Sequence, residues 1–124
     1  MKLIIAGSRS FKNAYRLVFA AFYQIGLKSQ DITEIVSGGA EGVDIAGEQF
    51  AEVSKIPKKL FYIKKSDWDE KGLVAGPMRN RQMAQYADAL LLIWDGKSKG
   101  SLSMRNEMKK LNKPIYEVII NKVQ

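Results

Sequence analysis

Ser37-Gly38-Gly39-Ala40-Glu41-Gly42-Val43-Asp44 joins two unlike patterns. An apolar run, residues 32–36, precedes it, and a helical spacing of apolar residues, 43–53, follows it. Three glycines fall within five residues between them. Strand, glycine turn, helix is the arrangement that turns backbone N–H groups and a helix N-terminus toward an anion. Gly38 and Gly39 can adopt φ > 0 or leave room for a ligand. Asp44 falls in the first turn of the helix, where it complements the dipole or holds a neighbouring loop or a ribose hydroxyl. The structural role is the favoured one. Glu41 is better placed for chemistry and equally suited to solvent.

Outward from this turn the chain alternates. Residues 2–6 read as a buried strand ended by Gly7-Ser8-Arg9-Ser10. Residues 13–25 have helical spacing at Tyr15, Val18, Phe19, Phe22 and Ile25, with Gly26 as the stop. Residues 33–37 form the second strand. After the helix, Ile56-Pro57 breaks the pattern and residues 60–63 read as a third strand. Residues 64–77 are loop-like, with one helical turn around Trp68. Residues 78–86 look helical. Residues 89–94 form a continuous apolar run, typical of a strand covered on both faces. Asp95 to Gly100 is a polar glycine loop, Ser101 can cap a helix to about Leu111, and residues 115–120 are the last strand.

This β-α-β-α-β-α-β-α-β order predicts an α/β fold: a single Rossmann-like, three-layer α/β/α domain over 1–124 with a mainly parallel five-stranded sheet. Ligands of such sheets bind beyond the carboxyl ends of the strands. Three of the four turns there are rich in Gly, Ser and basic residues.

Composition narrows the chemistry. The 124 residues carry 20 Lys and Arg against 13 Asp and Glu, a formal charge of +7 that favours anionic partners or simply solubility. Cysteine and histidine are absent, which excludes disulfides and thiolate metal sites and removes the usual neutral-pH base. No apolar run approaches the length of a membrane span. A cytoplasmic protein without membrane association, metal or required cofactor is expected.

Each turn offers candidate ligand groups. Gly7 lets the backbone approach a ligand, Ser8 donates a hydrogen bond, and Arg9 pairs with a phosphate or carboxylate. Ser37, Gly38, Gly39, Ala40, Glu41 and Asp44 form the second group. Arg79 and Asn80 lie in the first turn of a helix, within reach of the strand ends, and Arg81 points to the surface. Asp95, Gly96, Lys97, Ser98, Gly100 and Ser101 resemble a flexible anion loop. Trp68 is the candidate for base stacking, whereas Trp94 is favoured as core. The chain has neither G-x-G-x-x-G nor G-x-x-x-x-G-K-[ST], so the common dinucleotide and P-loop fingerprints are missing.

Taken in order, four segments resemble the SLOG superfamily, the Rossmann-like group that includes the LOG phosphoribohydrolases and the DprA DNA-processing proteins. They are Gly7-Ser8-Arg9 with Phe11; residues 35–44 with Ala46; Ala75-Gly76-Pro77-Met78-Arg79-Asn80 with Met83; and Ala87-Asp88-Ala89 leading to residues 94–101. The small stand-alone YAcAr or YspA-like members are the nearest in kind. The resemblance implies binding of a nucleotide or nucleotide-derived ligand by a sensor, carrier or sequestering protein, a phage-encoded sponge being one version. Two alternatives follow: LOG-type N-glycosidase action on a nucleoside monophosphate, and DprA-like single-stranded nucleic-acid binding. In LOG enzymes a glutamate stands three positions after a threonine. Here Ser101 stands at the threonine and Met104 at the glutamate, so Arg79, matching the LOG arginine, lacks its acidic partner. Glu41 and Asp95 are the candidate substitutes. SLOG relatives are often dimers, and the aromatic first helix is compatible with a homodimer.

Overall fold

An unbroken apolar run needs cover on both sides, and residues 89–94 receive it. In the computed structural model, which describes residues 1–121, β4 (Ala89–Trp94) is buried at every position. Its odd positions, Ala89, Leu91 and Ile93, join one core cluster; Leu90, Leu92 and Trp94 join the other. β1 (Lys2–Gly7) divides the same way, with Leu3 and Ile5 on one face and Ile4 and Ala6 on the other. These two strands pair in parallel from Leu3↔Ala89 to Gly7↔Ile93.

β2 (Glu34–Ser37), β3 (Lys58–Leu60) and β5 (Ile115–Ile119) complete the sheet, in the order β3-β2-β1-β4-β5 with every pairing parallel. α1 (Ala14–Gln24) and α2 (Val43–Val53) supply Val18, Phe22, Ala46 and Phe50 to the first cluster. α4 (Ala75–Tyr86) and α5 (Lys99–Lys110) supply Met83, Ala84, Met104 and Met108 to the second. The expected α/β, three-layer arrangement is therefore present, and the sheet is wholly parallel. The order reverses between β1 and β4, which places the topological switch point at the loops after Gly7 and Trp94.

Three boundaries differ from the sequence reading. β3 covers Lys58–Leu60 rather than 60–63, because Ile35 donates to the Pro57 carbonyl and Phe61 donates to the Ser37 carbonyl, which sets its register. β3 is an edge strand whose Lys58 and Lys59 are exposed, so apolar patterning is no guide to it. The segment before Arg79 is not a loop. It folds as α3 (Lys65–Lys71), a 3-10 turn (Gly72–Val74) and the start of α4. Pro77 falls in the first turn of α4, where a missing N–H breaks no helical bond. Finally, α5 begins at Lys99 with Ser98 at its N-cap position, so Ser101 lies inside the first turn and is not the cap.

The aromatic surplus of α1 is divided. Phe22 is fully buried, while Phe19 and Tyr23 stay 48% and 49% exposed, their rings 4.9 Å apart. Among the described residues no helix is long and apolar enough to cross a membrane.

Gly7 has a packing reason. A Cβ there would overlap the Ile93 carbonyl of the neighbouring strand, whereas a Cβ on Gly76 would meet nothing. We expect Gly7→Ala to lower folding stability by roughly 2–4 kcal/mol. Gly76→Ala should change it by less than about 1 kcal/mol, in the stabilising direction. Urea denaturation of the two variants checks both values.

Candidate functional site

The carboxyl ends of β1, β2 and β4 lie along one edge of the sheet, and hydrogen bonds tie their loops together. Ser8 is the link between β1 and β4. Its hydroxyl accepts from the Asp95 N–H at 3.1 Å and lies 3.0 Å from the Ser98 hydroxyl. Its own N–H donates to the Ile93 carbonyl at 3.1 Å. Gly42 is the link between the first turn and the second. It holds φ at 74°, and a Cβ there would strike the Ser8 carbonyl, so the glycine turn lies directly on Ser8 and Arg9. Val43 N–H also donates to the Ser8 carbonyl, at 3.4 Å.

α4 contributes two adjacent residues that reach opposite ways. Arg79 donates through a terminal nitrogen to the Gly38 carbonyl at 2.6 Å, and through Nε to Asn80 Oδ1 at 3.0 Å. Asn80 donates to the Ser103 hydroxyl at 3.1 Å and to the Gly100 carbonyl at 3.5 Å. The pair thus joins the glycine turn after β2 to the first turn of α5. Asn80 and Ser101 are buried, while Arg9, Lys97 and Gly100 face solvent.

The loop after β4 is organised by Asp95. One carboxylate oxygen accepts from Lys97 N–H at 2.8 Å, Ser98 N–H at 2.9 Å and the Ser98 hydroxyl at 2.9 Å. The N–H donors of Lys97 and Ser98 hold its pKa down, at about 2. Asp95 is therefore a structural anion. It occupies the Lys97 and Ser98 N–H groups, which favour its ionised form. The N–H groups of the first turn of α5, at Lys99, Gly100 and Ser101, precede any intrahelical acceptor. They have no acceptor among the described residues.

Asp44 is the buried acid of the glycine turn. It accepts from Ala40 N–H at 3.4 Å. Burial pushes its pKa up to about 6, against the opposing pull of Arg79 and of the Ala40 and Gly7 backbone. The same burial draws the Arg79 pKa down, countered by Asp44. Ser37 donates to Glu48 at 2.7 Å and accepts from Gly39 N–H at 3.1 Å, which fixes the turn from beneath.

The structure brings Ser8, Ser37, Gly38, Asp44, Arg79, Asn80, Asp95, Ser98 and Ser101 onto this one edge. Glu41 is exposed beside it. Trp68 stands on α3, 48% exposed, and does not line the small pocket next to Arg79; Tyr62, Asp67, Met78 and Gln82 do. Tyr62 lays its ring against Gly39, where a Cβ would clash with it. Sequence reasoning passed over Tyr62 because it falls where strand β3 was expected. Ser103 and Glu48, partners of Asn80 and Ser37, carry no sequence signal at all, since each is one polar residue on a helix. Trp94 is buried and donates to Glu117 at 2.8 Å, a core position. Met104, at the position where LOG enzymes carry glutamate, is 2% exposed and packed in the second core cluster. Among the described residues no group of three acidic side chains gathers to hold a metal.

The two carboxyls bend stability with pH in opposite senses. Folding raises the Asp44 pKa from 3.8 to about 6, so its protonated form favours the folded state. That contribution, up to roughly 3 kcal/mol, is full below about pH 4 and is lost as pH rises through about 6. Asp95, with a depressed pKa, contributes above its ordinary pKa and loses that contribution as pH falls toward about 2. Urea midpoints measured from about pH 3 to about pH 8 should show a fall between about pH 4 and about pH 6 that is missing in Asp44→Asn.

Neither a family model nor a curated protein matches this sequence. Among solved structures, the fold is similar to the X-ray structure of DNA processing protein A (DprA) from Streptococcus pneumoniae, with a TM-score of 0.76 and 17% identity. The alignment covers 99% of this chain and 52% of that one, so the chain spans about half the length of the DprA chain. The likeness shows a Rossmann-like α/β fold shared with the aligned half of the DprA chain.

Proposed function

We propose that the protein binds a nucleotide or nucleotide-derived phosphate at the carboxyl edge of the sheet, as a small SLOG-type sensor, carrier or sequestering protein. One observation carries the reading. The three glycine-bearing turns after β1, β2 and β4 are knitted into a single edge by Ser8 and Gly42 and by Arg79 and Asn80 of α4. A set of unrelated tight connections would have no reason to share hydrogen bonds. Among the described residues, the first turn of α5 offers unpaired N–H groups and Arg9 an unpaired guanidinium, the donor types that phosphate recognition uses. Arg79 has a supporting part, since it is already bonded to Gly38 and Asn80.

Catalysis has less behind it. Asp95 is committed to its own loop and Met104 to the core. The half-exposed rings of Phe19 and Tyr23 extend the proposal to a homodimer, which sedimentation would report as twice the 13.9 kDa chain mass. A second reading, single-stranded nucleic-acid binding, is favoured by the fold shared with a DNA-processing protein and by the formal charge of +7.

Calorimetric titration with AMP and ribose 5-phosphate tests the first reading. Both should bind, and Arg9→Ala should weaken both by about tenfold or more, the worth of one charge-assisted contact. No heat from either at concentrations of about 5 mM would remove it, since weaker binding than that has little specificity to lose. Release of ribose 5-phosphate from AMP would instead establish the N-glycosidase alternative. For the nucleic-acid reading, affinity for an oligo-dT strand should fall steeply and linearly in log–log form with salt. A flat response would exclude it.

A further inference from the structure

The loops of the strand edge satisfy most of their own polar groups. A second concavity nearby instead presents its polar side chains to solvent. A cleft of about 400 Å³ runs between the first turn and the N-terminal ends of α1 and α2. Phe11 and Tyr15 line it from the α1 side and Ile45 from the α2 side, with Asn13, Glu41 and Gln49 around them. Asn13 makes no side-chain bond to the helix end it precedes. The Glu41 and Gln49 side chains likewise have no hydrogen-bond or ionic partner among the described residues. The cleft, open to solvent, therefore combines apolar, partly aromatic walls with three exposed polar side chains that have no partner among the described residues. Aromatic and aliphatic walls beside a few convergent polar groups are the make-up of a small-molecule site.

The residue types narrow the ligand. Two aromatic side chains and an isoleucine favour a flat ring. An ionised carboxylate only accepts hydrogen bonds, and its two oxygens match a pair of adjacent N–H donors. Among the nucleobases, guanine presents that pair, N1–H beside its exocyclic N2 amine. Adenine places an acceptor, N1, next to its amine and offers the carboxylate one donor at most. The carboxamides of Asn13 and Gln49 can donate to the guanine O6 and N7 acceptors. The cleft also includes Gly42, whose backbone packs on the Ser8 and Arg9 carbonyls, so it opens beside the Arg9 turn.

We propose that this cleft is a guanine-selective nucleoside subsite and that Glu41 reads the base through guanine N1–H and N2–H. The phosphate reading above enters only in orienting a nucleotide, with its phosphate toward Arg9. The base reading stands on the cleft itself.

Calorimetric titration of guanosine, adenosine, GMP, AMP and ribose 5-phosphate into the wild type and Glu41→Gln tests it. Guanosine should bind at least about tenfold more tightly than adenosine. Glu41→Gln should abolish that preference while leaving adenosine and ribose 5-phosphate unaffected. Glu41 is exposed, so the thermal midpoint of the variant should match the wild type. Equal binding of guanosine and adenosine, no binding of guanosine, or a preference that survives in Glu41→Gln overturns the proposal. Glu41-dependent guanosine binding without any gain for GMP or any binding of ribose 5-phosphate would uphold the base subsite and overturn only the phosphate reading.

Discussion

The close passage of β1 beside β4 at Gly7 is the contact on which the rest of the edge depends. The glycine faces the Ile93 carbonyl with no room for a Cβ. Because the strands stay paired to that point, Ser8 emerges next to the end of β4 and its hydroxyl meets both Asp95 N–H and the Ser98 hydroxyl. Asp95 is then positioned to accept from Lys97 and Ser98 and to start α5 at Lys99. A switch point in a parallel sheet usually leaves a crevice, because the chains on either side turn to opposite faces. Here its floor is bridged by serine and aspartate, and the open donors lie just above it.

The glycine turn after β2 is fixed by a different device. Arg79 and Asp44 are two charged groups drawn out of water beside Gly38. Burial costs each of them, and each offsets part of the other's cost. Arg79 is held further by the Gly38 carbonyl and by Asn80, and Asp44 by Ala40 N–H. The result is a rigid wall whose polar atoms are mostly spoken for. An incoming anion would meet this wall's outer surface and the first turn of α5, without displacing the internal bonds.

This division between committed and spare polar groups explains why the candidate residues are not equivalent. Asp95 looked in the sequence like a ligand group or a base, and one of its carboxylate oxygens accepts three donors within its own loop. Ser101 looked like a cap, yet that position is taken by Ser98. Glu41 suits chemistry and solvent equally in the sequence, one glutamate in a glycine turn. It gains interest from Phe11, Tyr15 and Gln49, which the fold brings around it.

The sequence alone determined the alternation of strands and helices, the doubly covered β4 and the positions of the glycine turns. Those features are written in local periodicity and in residues such as Gly and Pro whose backbone limits act within a few positions. It could not place β3, whose exposed edge needs no apolar pattern, and it showed α3 only as one helical turn around Trp68, because that helix buries no residue. It also could not say which polar side chains would be consumed by neighbours. Arg79 meets Gly38 across 41 residues and Ser8 meets Asp95 across 87. Such pairings have no local signature, because they are set by sheet order and crossover direction. The tertiary structure therefore decided which groups hold the edge together and which have no partner among the described residues.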